Sequence, residues 1–253
     1  MSDLDTKAEA LLADLKPTSP SAAPGQNFLP PHTRRDVPGQ YGSTPIWRAG
    51  EGPAALFVHG WDDTHRIWRH FAQDFLQNTR PVLLMDLPSH GASKVENCTP
   101  ETASVSVAET CAAEGPIDTI IAHSFGCEAS VRAIAAGAHA DYLVLIAPPL
   151  LDWADYQHLK GHDDETITRA RELLAERGGE IMSRVDFREA LADYKGAILL
   201  VGSQADESSP LPLIRELANG LASAKLVEDD TLSHRDIALD PRILSEITTF
   251  LGY

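Results

Sequence analysis

Three residues of types that support nucleophilic catalysis follow apolar segments of the chain. Ser124 comes after "IDTIIAH", Asp206 after "AILLVGSQA", and His234 lies in "TLSHRDI", after the last apolar run. A serine hydroxyl is a weak nucleophile until a neutral imidazole takes its proton, and a carboxylate can fix the tautomer of that imidazole. The pattern therefore predicts Ser124 as nucleophile, His234 as base and Asp206 as the orienting acid. Asp152, which follows another apolar segment, is an alternative acid.

Small residues surround Ser124 and indicate a tight turn. Ala122 lies two residues before the serine and Gly126 two residues after it, where larger side chains would collide with neighbouring backbone. An apolar strand precedes the turn and the helical pattern "FGCEASVRAIAAG" follows it, which is the context of an exposed nucleophile. Ala122 stands where a glycine is usual, and its methyl group is a mild departure.

Five short apolar segments predict the strands that would position these residues. They are "AALFVHG", "PVLLMDLPSHG", "IDTIIAHS", "DYLVLIAPP" and "AILLVGSQAD". Continuous apolar runs of this length are typical of parallel strands buried on both faces, and helical patterns lie between them. The alternation predicts a doubly wound, mostly parallel α/β sheet with helices on both faces. "AKLVED" predicts a last strand and "DPRILSEITTFL" a closing helix.

The chain is predicted to consist of a core with one insertion. The core covers residues 45–149 and 195–253. Residues 150–194 carry two helical patterns without a strand between them, so we expect a short helical cap above the carboxyl ends of the strands, where ligands of such sheets bind. The predicted apolar inner face of this cap is the stripe Ile167, Ala170 and Leu174.

Residues 1–44 precede the core. Residues 4–15 predict a short amphipathic helix, and the Pro-, Gly- and Ser-rich stretch after it predicts an extended arm with little regular structure. Such an arm can wrap the body of the protein or a partner subunit. A homo-oligomer through this N-terminal arm is therefore a possible arrangement.

Composition narrows the range of partners. The 253 residues carry a formal net charge of -16, which repels nucleic-acid backbones and anionic membrane surfaces, so we expect neither as a partner. Three cysteines without C-x-x-C spacing, and an acidic start without a secretory signal, indicate a cytoplasmic protein. No apolar run reaches the length of about 18 residues that a membrane span needs. No H-E-x-x-H or comparable ligand set appears, so no metal site is expected.

Three motifs, followed by the predicted acid and base, resemble the α/β-hydrolase superfamily in their order over residues 45–253. "LFVHGW" is similar to its H-G-x motif, "DLPSHGAS" to its D-x-P-x-H-G loop and "AHSFG" to its nucleophile elbow, and the acid and base follow in the order Asp206, His234. The resemblance implies an α/β-hydrolase fold and an esterase-like serine hydrolase. It also implies an oxyanion hole formed by the backbone N–H groups of Trp61 and Phe125.

The expected activity is therefore hydrolysis of a carboxylic ester, or a related activated acyl compound, through an acyl-enzyme on Ser124 and without a cofactor. An acyltransferase or a carbon–carbon bond hydrolase with the same triad is an alternative, and so is a non-catalytic protein of this fold that binds a small molecule. Trp61, His123 and Phe125 are the candidates for the substrate pocket. His59 and His90 are expected to stabilise turns by hydrogen bonds.

Overall fold

The computed structural model describes residues 2–18, 28–177, 181 and 184–253. In this part of the chain, eight strands form one sheet in the order β1-β2-β4-β3-β5-β6-β7-β8. The strands are β1 (Thr33–Gly39), β2 (Gly42–Ala49), β3 (Ala54–Val58), β4 (Val82–Met85), β5 (Ile117–His123), β6 (Tyr142–Ile146), β7 (Ala197–Ser203) and β8 (Ala224–Asp229). β1 pairs with β2, and β2 with β4, in antiparallel fashion, whereas all pairs from β4 to β8 are parallel.

Nine α-helices belong to the described residues. They are α1 (Asp3–Ala13), α2 (Arg69–Gln77), α3 (Pro100–Glu114), α4 (Phe125–Ala135), α5 (Trp153–Leu159), α6 (Asp164–Glu176), α7 (Phe187–Ala190), α8 (Leu211–Gly220) and α9 (Pro241–Leu251). The predicted α/β sheet, its last strand, its closing helix and the N-terminal helix are confirmed. No helix in this part of the chain combines the length and the apolar character needed to cross a membrane.

Two apolar clusters cover the two faces of the sheet, because successive residues of a strand point to opposite faces. Leu56 and Leu83 belong to the cluster that includes side chains of α3, α4 and α8. Phe57 and Leu84, the next residue in each strand, belong to the cluster that includes side chains of α2 and α9. All five residues of β3 are buried. The central strands are thus covered on both faces, and their carboxyl ends meet at one edge.

The N-terminal arm differs from its prediction. Residues 33–39, expected to lack regular structure, form the edge strand β1, and the predicted boundary at residue 45 falls inside β2. β1 is mostly exposed and polar, so its sequence lacks the apolar alternation of a half-buried strand. Pro38 is tolerated because β1 is at the edge of the sheet. The part of the arm at residues 19–27 lies outside the described residues.

The insertion at residues 150–194 carries α5, α6 and α7, and no strand occurs among its described residues. The predicted apolar stripe of α6 packs against α1: Ile167 and Ala170 are buried there, and Leu174 packs at the margin. The second predicted helical pattern is the four-residue α7, which contacts α4 and α8. The apolar face of α6 is therefore covered by the N-terminal helix, and the prediction that this stripe is the inner face of a cap above the strand ends is wrong.

Candidate active site

Ser124 occupies a strained turn between β5 and α4. Its backbone angles are φ 50° and ψ -123°, a left-handed φ that non-glycine residues seldom adopt. A Cβ atom on Gly126 would lie 2.5 Å from the carbonyl oxygen of His59 and 2.6 Å from that of Val58. Only glycine fits at that position, because both neighbours are backbone atoms. Ala122 is fully buried in β5.

A continuous hydrogen-bonded chain joins the three predicted catalytic side chains. The Oγ of Ser124 lies 2.8 Å from Nε2 of His234, and Nδ1 of His234 lies 2.7 Å from Oδ2 of Asp206. Since the carboxylate can only accept, Nδ1 carries the proton and Nε2 is free to accept the serine proton. The imidazole therefore has the tautomer that a general base needs.

Asp206 is held by backbone hydrogen bonds in the loop that follows β7. Its side chain is fully buried, and its Oδ1 accepts hydrogen bonds from the N–H groups of Ser208 at 3.0 Å and Ser209 at 3.1 Å. Asp152, the alternative acid, instead caps the N-terminus of α5 by accepting from the N–H of Asp155 at 2.8 Å. The structure thus brings Asp206, and not Asp152, to His234.

The two residues predicted to supply the oxyanion donors have side chains in contact. The rings of Trp61 and Phe125 meet edge to face, with centroids 5.2 Å apart. Phe125 is the first residue of α4, where an N–H group has no carbonyl partner within the helix. The Gly60 carbonyl accepts from Nδ1 of His59 at 2.7 Å and from the N–H of Asp63 at 3.3 Å. These bonds fix the peptide that carries the Trp61 N–H.

His59 and His90 hold the loop after β3, as their sequence context predicts. Nδ1 of His59 donates to Gly60, and Nε2 accepts from the N–H of Leu87 at 3.0 Å. Burial lowers the pKa of His59 to about 4, so the ring stays neutral, as both bonds require. Nε2 of His90 accepts from the N–H of Asp62 at 3.1 Å, and burial lowers the pKa of His90 as well.

Asp86 supports the same loops, although its sequence context did not single it out. It is fully buried; its Oδ1 accepts from the backbone N–H of His65 at 2.7 Å and from Nδ1 of that ring at 2.9 Å. Its Oδ2 accepts from the N–H of Ala92 at 2.8 Å. Burial raises the pKa of Asp86, but the hydrogen bonds and the charge of His65 lower it by a larger amount, so the carboxylate stays ionised. The available signals were its position after β4 and its place as the first residue of "DLPSHGAS".

His123, one of the candidates for the substrate pocket, is buried and bonds the backbone of His234. It is 3% exposed, and its Nε2 donates to the carbonyl oxygen of His234 at 2.8 Å. Burial, with a smaller effect of His234, lowers the pKa of His123 to about 3, so it remains a neutral donor. On the same loop, Arg235 forms a two-pronged ion pair with Asp63 at 3.0 and 3.1 Å. Both contacts fix the backbone around the candidate base.

Neither a metal-binding cluster nor a reactive thiol occurs among the described residues. In the part of the chain that the structure describes, no three His, Cys, Asp or Glu side chains are arranged to hold a metal ion. Cys98, Cys111 and Cys127 are free and buried. Burial raises the pKa of each thiol, to about 12 for Cys111, so none is a thiolate at neutral pH.

The sequence from residue 55 to residue 246 matches a model of the alpha/beta hydrolase family. This protein is a member of that family. The match covers most of the sheet, the insertion and all three residues of the hydrogen-bonded chain. No protein with a curated description matches the hydrolase.

Solved structures share the fold of the hydrolase at low sequence identity. The esterase Pf2001 of Pyrococcus furiosus has a TM-score of 0.71 with 16% identity, over 93% of this chain and 98% of the other. The esterase RhEst1 from Rhodococcus sp. ECU1013 has a TM-score of 0.68 with 18% identity, over 87% and 98%. An esterase from Exiguobacterium antarcticum has a TM-score of 0.65 with 14% identity, over 86% and 99%. These likenesses establish the fold of the hydrolase.

Proposed function

We propose that this hydrolase is a serine esterase that cleaves small carboxylic esters through an acyl-enzyme on Ser124. The observation that carries the proposal is the unbroken hydrogen-bonded chain from Ser124 through His234 to Asp206. The strained backbone of Ser124 supports it further, because strain of this kind persists where function requires it. The esterases among the structural neighbours support ester hydrolysis as the reaction.

In the first half of the reaction, the Oγ of Ser124 attacks the carbonyl carbon of the ester while Nε2 of His234 takes the hydroxyl proton. The carbonyl oxygen becomes negative and accepts hydrogen bonds from the N–H groups of Trp61 and Phe125. Asp206 stabilises the imidazolium of His234. The tetrahedral intermediate then expels the alkoxide, which leaves as an alcohol after taking the proton from His234.

In the second half, water replaces the alcohol. Nε2 of His234 takes a proton from that water, and the resulting hydroxide attacks the acyl carbon on Ser124. The second tetrahedral intermediate collapses, the serine oxygen recovers its proton from His234, and the carboxylic acid is released. His234 moves every proton in both halves, so the proposed cycle needs no cofactor. The rings of Trp61 and Phe125 contact each other and are only partly buried, which favours an ester with an apolar group that binds at these rings.

A panel of p-nitrophenyl esters of increasing acyl length tests the proposal. We expect p-nitrophenolate release by the wild-type protein and a loss of about 10⁴-fold or more in kcat for Ser124→Ala, which keeps the fold but lacks the nucleophile. Repeating the assay with added alcohols separates hydrolysis from acyl transfer, since a transferase would form the new ester in preference to the acid. Absence of release by the wild type for every ester contradicts the proposal.

We propose further that the protein works in the cytoplasm on a small-molecule ester-like substrate. Three buried free thiols fit a reducing compartment. Cell fractionation checks this, and recovery outside the cytoplasm contradicts it. A homo-oligomer through the N-terminal arm stays a prediction, which sedimentation velocity of the full chain checks.

A further inference from the structure

The N-terminal helix α1 shares a small apolar core with α6. Ala8, Leu11 and Leu12 of α1 are buried against Ile167 and Ala170 of α6. This core is separate from the two clusters that cover the faces of the sheet. Trp153 and Ala154 of α5 pack at its margin. Helices α1, α5 and α6 therefore form one packed unit, although about 150 residues of sequence separate α1 from the other two.

Ion pairs run along the contact between α1 and the insertion. Asp5 accepts from Nε of Arg169 at 2.8 Å, and this hydrogen bond is the main reason that the pKa of Asp5 is lowered to about 2. Two further pairs follow toward the C-terminus of α1: Glu9 with Arg177, and Asp14 with Lys160. Exposed pairs contribute little stability. Their opposite charges nonetheless match along the length of α1, which favours one alignment of α1 against α5 and α6.

A hydrogen bond ties the end of this unit to the loop that carries the proposed oxyanion donor. The N–H of Thr18 donates to Oδ1 of Asp62 at 2.6 Å. Asp62 directly follows Trp61 and has a positive φ of 58°. The five residue steps from Ala13 to Thr18 span at most about 17 Å, so α1 ends close to this loop. At its other end, the unit follows strand β6 in the chain. The carbonyl oxygen of Ile146, the last residue of β6, accepts a hydrogen bond from the N–H of Ser124 at 2.9 Å.

We propose that residues 2–18 are part of the cap that selects the substrate, and that the bond from Thr18 to Asp62 fixes this cap to the oxyanion loop. The inference rests on the proposed esterase function of the same site. The N-terminal helix then acts within its own chain, and the cap consists of two segments that are distant in sequence, residues 2–18 and the insertion at residues 150–194. Detaching α1 exposes the apolar face of α6 and frees Asp62, so the fit of long acyl or alkyl groups near Trp61 is lost.

Two pairs of matched variants test the role of this segment. Thr18→Pro removes the N–H donor, whereas Thr18→Ala keeps the donor and removes only the side chain. Leu11→Asp puts a charge into the α1–α6 core, whereas Ala10→Asp puts the same charge on the exposed side of α1. Each full-length variant is labelled with a short-chain and a long-chain alkyl fluorophosphonate, and hydrogen exchange of residues 164–176 reports whether α1 is still docked.

We expect Thr18→Pro and Leu11→Asp to lower the ratio of long-chain to short-chain labelling rates by about five- to tenfold, the scale of one net hydrogen bond. Thr18→Ala and Ala10→Asp should keep the wild-type ratio. Leu11→Asp should also speed exchange in α6. Unchanged ratios in both test variants, with faster exchange in Leu11→Asp, overturn the inference and leave the esterase proposal standing. A wild-type protein that neither probe labels contradicts the proposed function itself, independently of any effect of α1.

Discussion

Lowering the pH from 7 to 5 should destabilise the hydrolase through histidines that the fold keeps neutral. Burial lowers the pKa of His59 from 6.5 to about 4 and that of His123 to about 3. In the unfolded chain the pKa of both rings returns to the ordinary value near 6.5. As the pH falls below 6.5, the two histidines bind protons in the unfolded state but not in the folded state. The stabilisation is therefore complete above about pH 6.5 and is lost as the pH falls toward the folded pKa values.

The size of the effect follows from these two pKa values. Between pH 7 and pH 5, each of the two histidines should remove about 2 kcal/mol from the free energy of unfolding, since each pKa lies well below 5 in the fold. The two together remove about 4 kcal/mol, a large part of the 5–15 kcal/mol that stabilises a typical domain. The lowered pKa of His90 acts in the same direction.

Urea denaturation at pH 7, 6 and 5 measures this loss for the wild type and two variants. His123→Gln keeps an amide N–H that can donate to the carbonyl of His234 but cannot take up a proton. Its loss of stability from pH 7 to pH 5 should be smaller than that of the wild type by about 2 kcal/mol. His139→Gln is the control, because the His139 side chain is 82% exposed. Identical pH dependence in His123→Gln and the wild type would refute the reasoning.

Two further substitutions test the geometry around Ser124. Asp206→Asn should lower kcat by about 10⁴-fold because the amide favours the wrong tautomer of His234, whereas Asp152→Asn, which can still cap α5, should leave ester hydrolysis close to wild type; the reverse pattern would assign the acid to Asp152. Gly126→Ala should lower the free energy of unfolding by about 1–3 kcal/mol in thermal denaturation and suppress ester hydrolysis, since its Cβ meets backbone oxygen atoms at 2.5 and 2.6 Å. A Gly126→Ala protein with normal stability and activity would contradict the tight turn.

The central sheet was predictable because its strands are buried on both faces and therefore read as continuous apolar runs. The edge strand β1 was not, since four of its first five residues are exposed and only Val37 is buried. The turn at Ser124 was also visible in the sequence, because a small residue on each side of a serine after a strand is a local pattern.

Contacts between distant segments could not be predicted from one sequence. The apolar stripe of α6 was visible, but nothing local to it identifies α1 as the helix that covers it. In the same way, His123 lies beside the nucleophile in sequence, whereas its hydrogen-bond partner His234 is 111 residues away. The buried network of Asp86 likewise joins segments that only the folded sheet brings together.

The central claim is that Ser124 is a nucleophile activated by His234, and the most direct test is the intact mass of the protein after treatment with a fluorophosphonate. Attack by Oγ displaces fluoride and leaves a stable phosphonyl ester that resembles the tetrahedral intermediate. We predict one added phosphonyl group per chain, located by peptide mapping at Ser124, and none in Ser124→Ala. An unmodified wild-type protein, or a label that persists in Ser124→Ala, would contradict the claim.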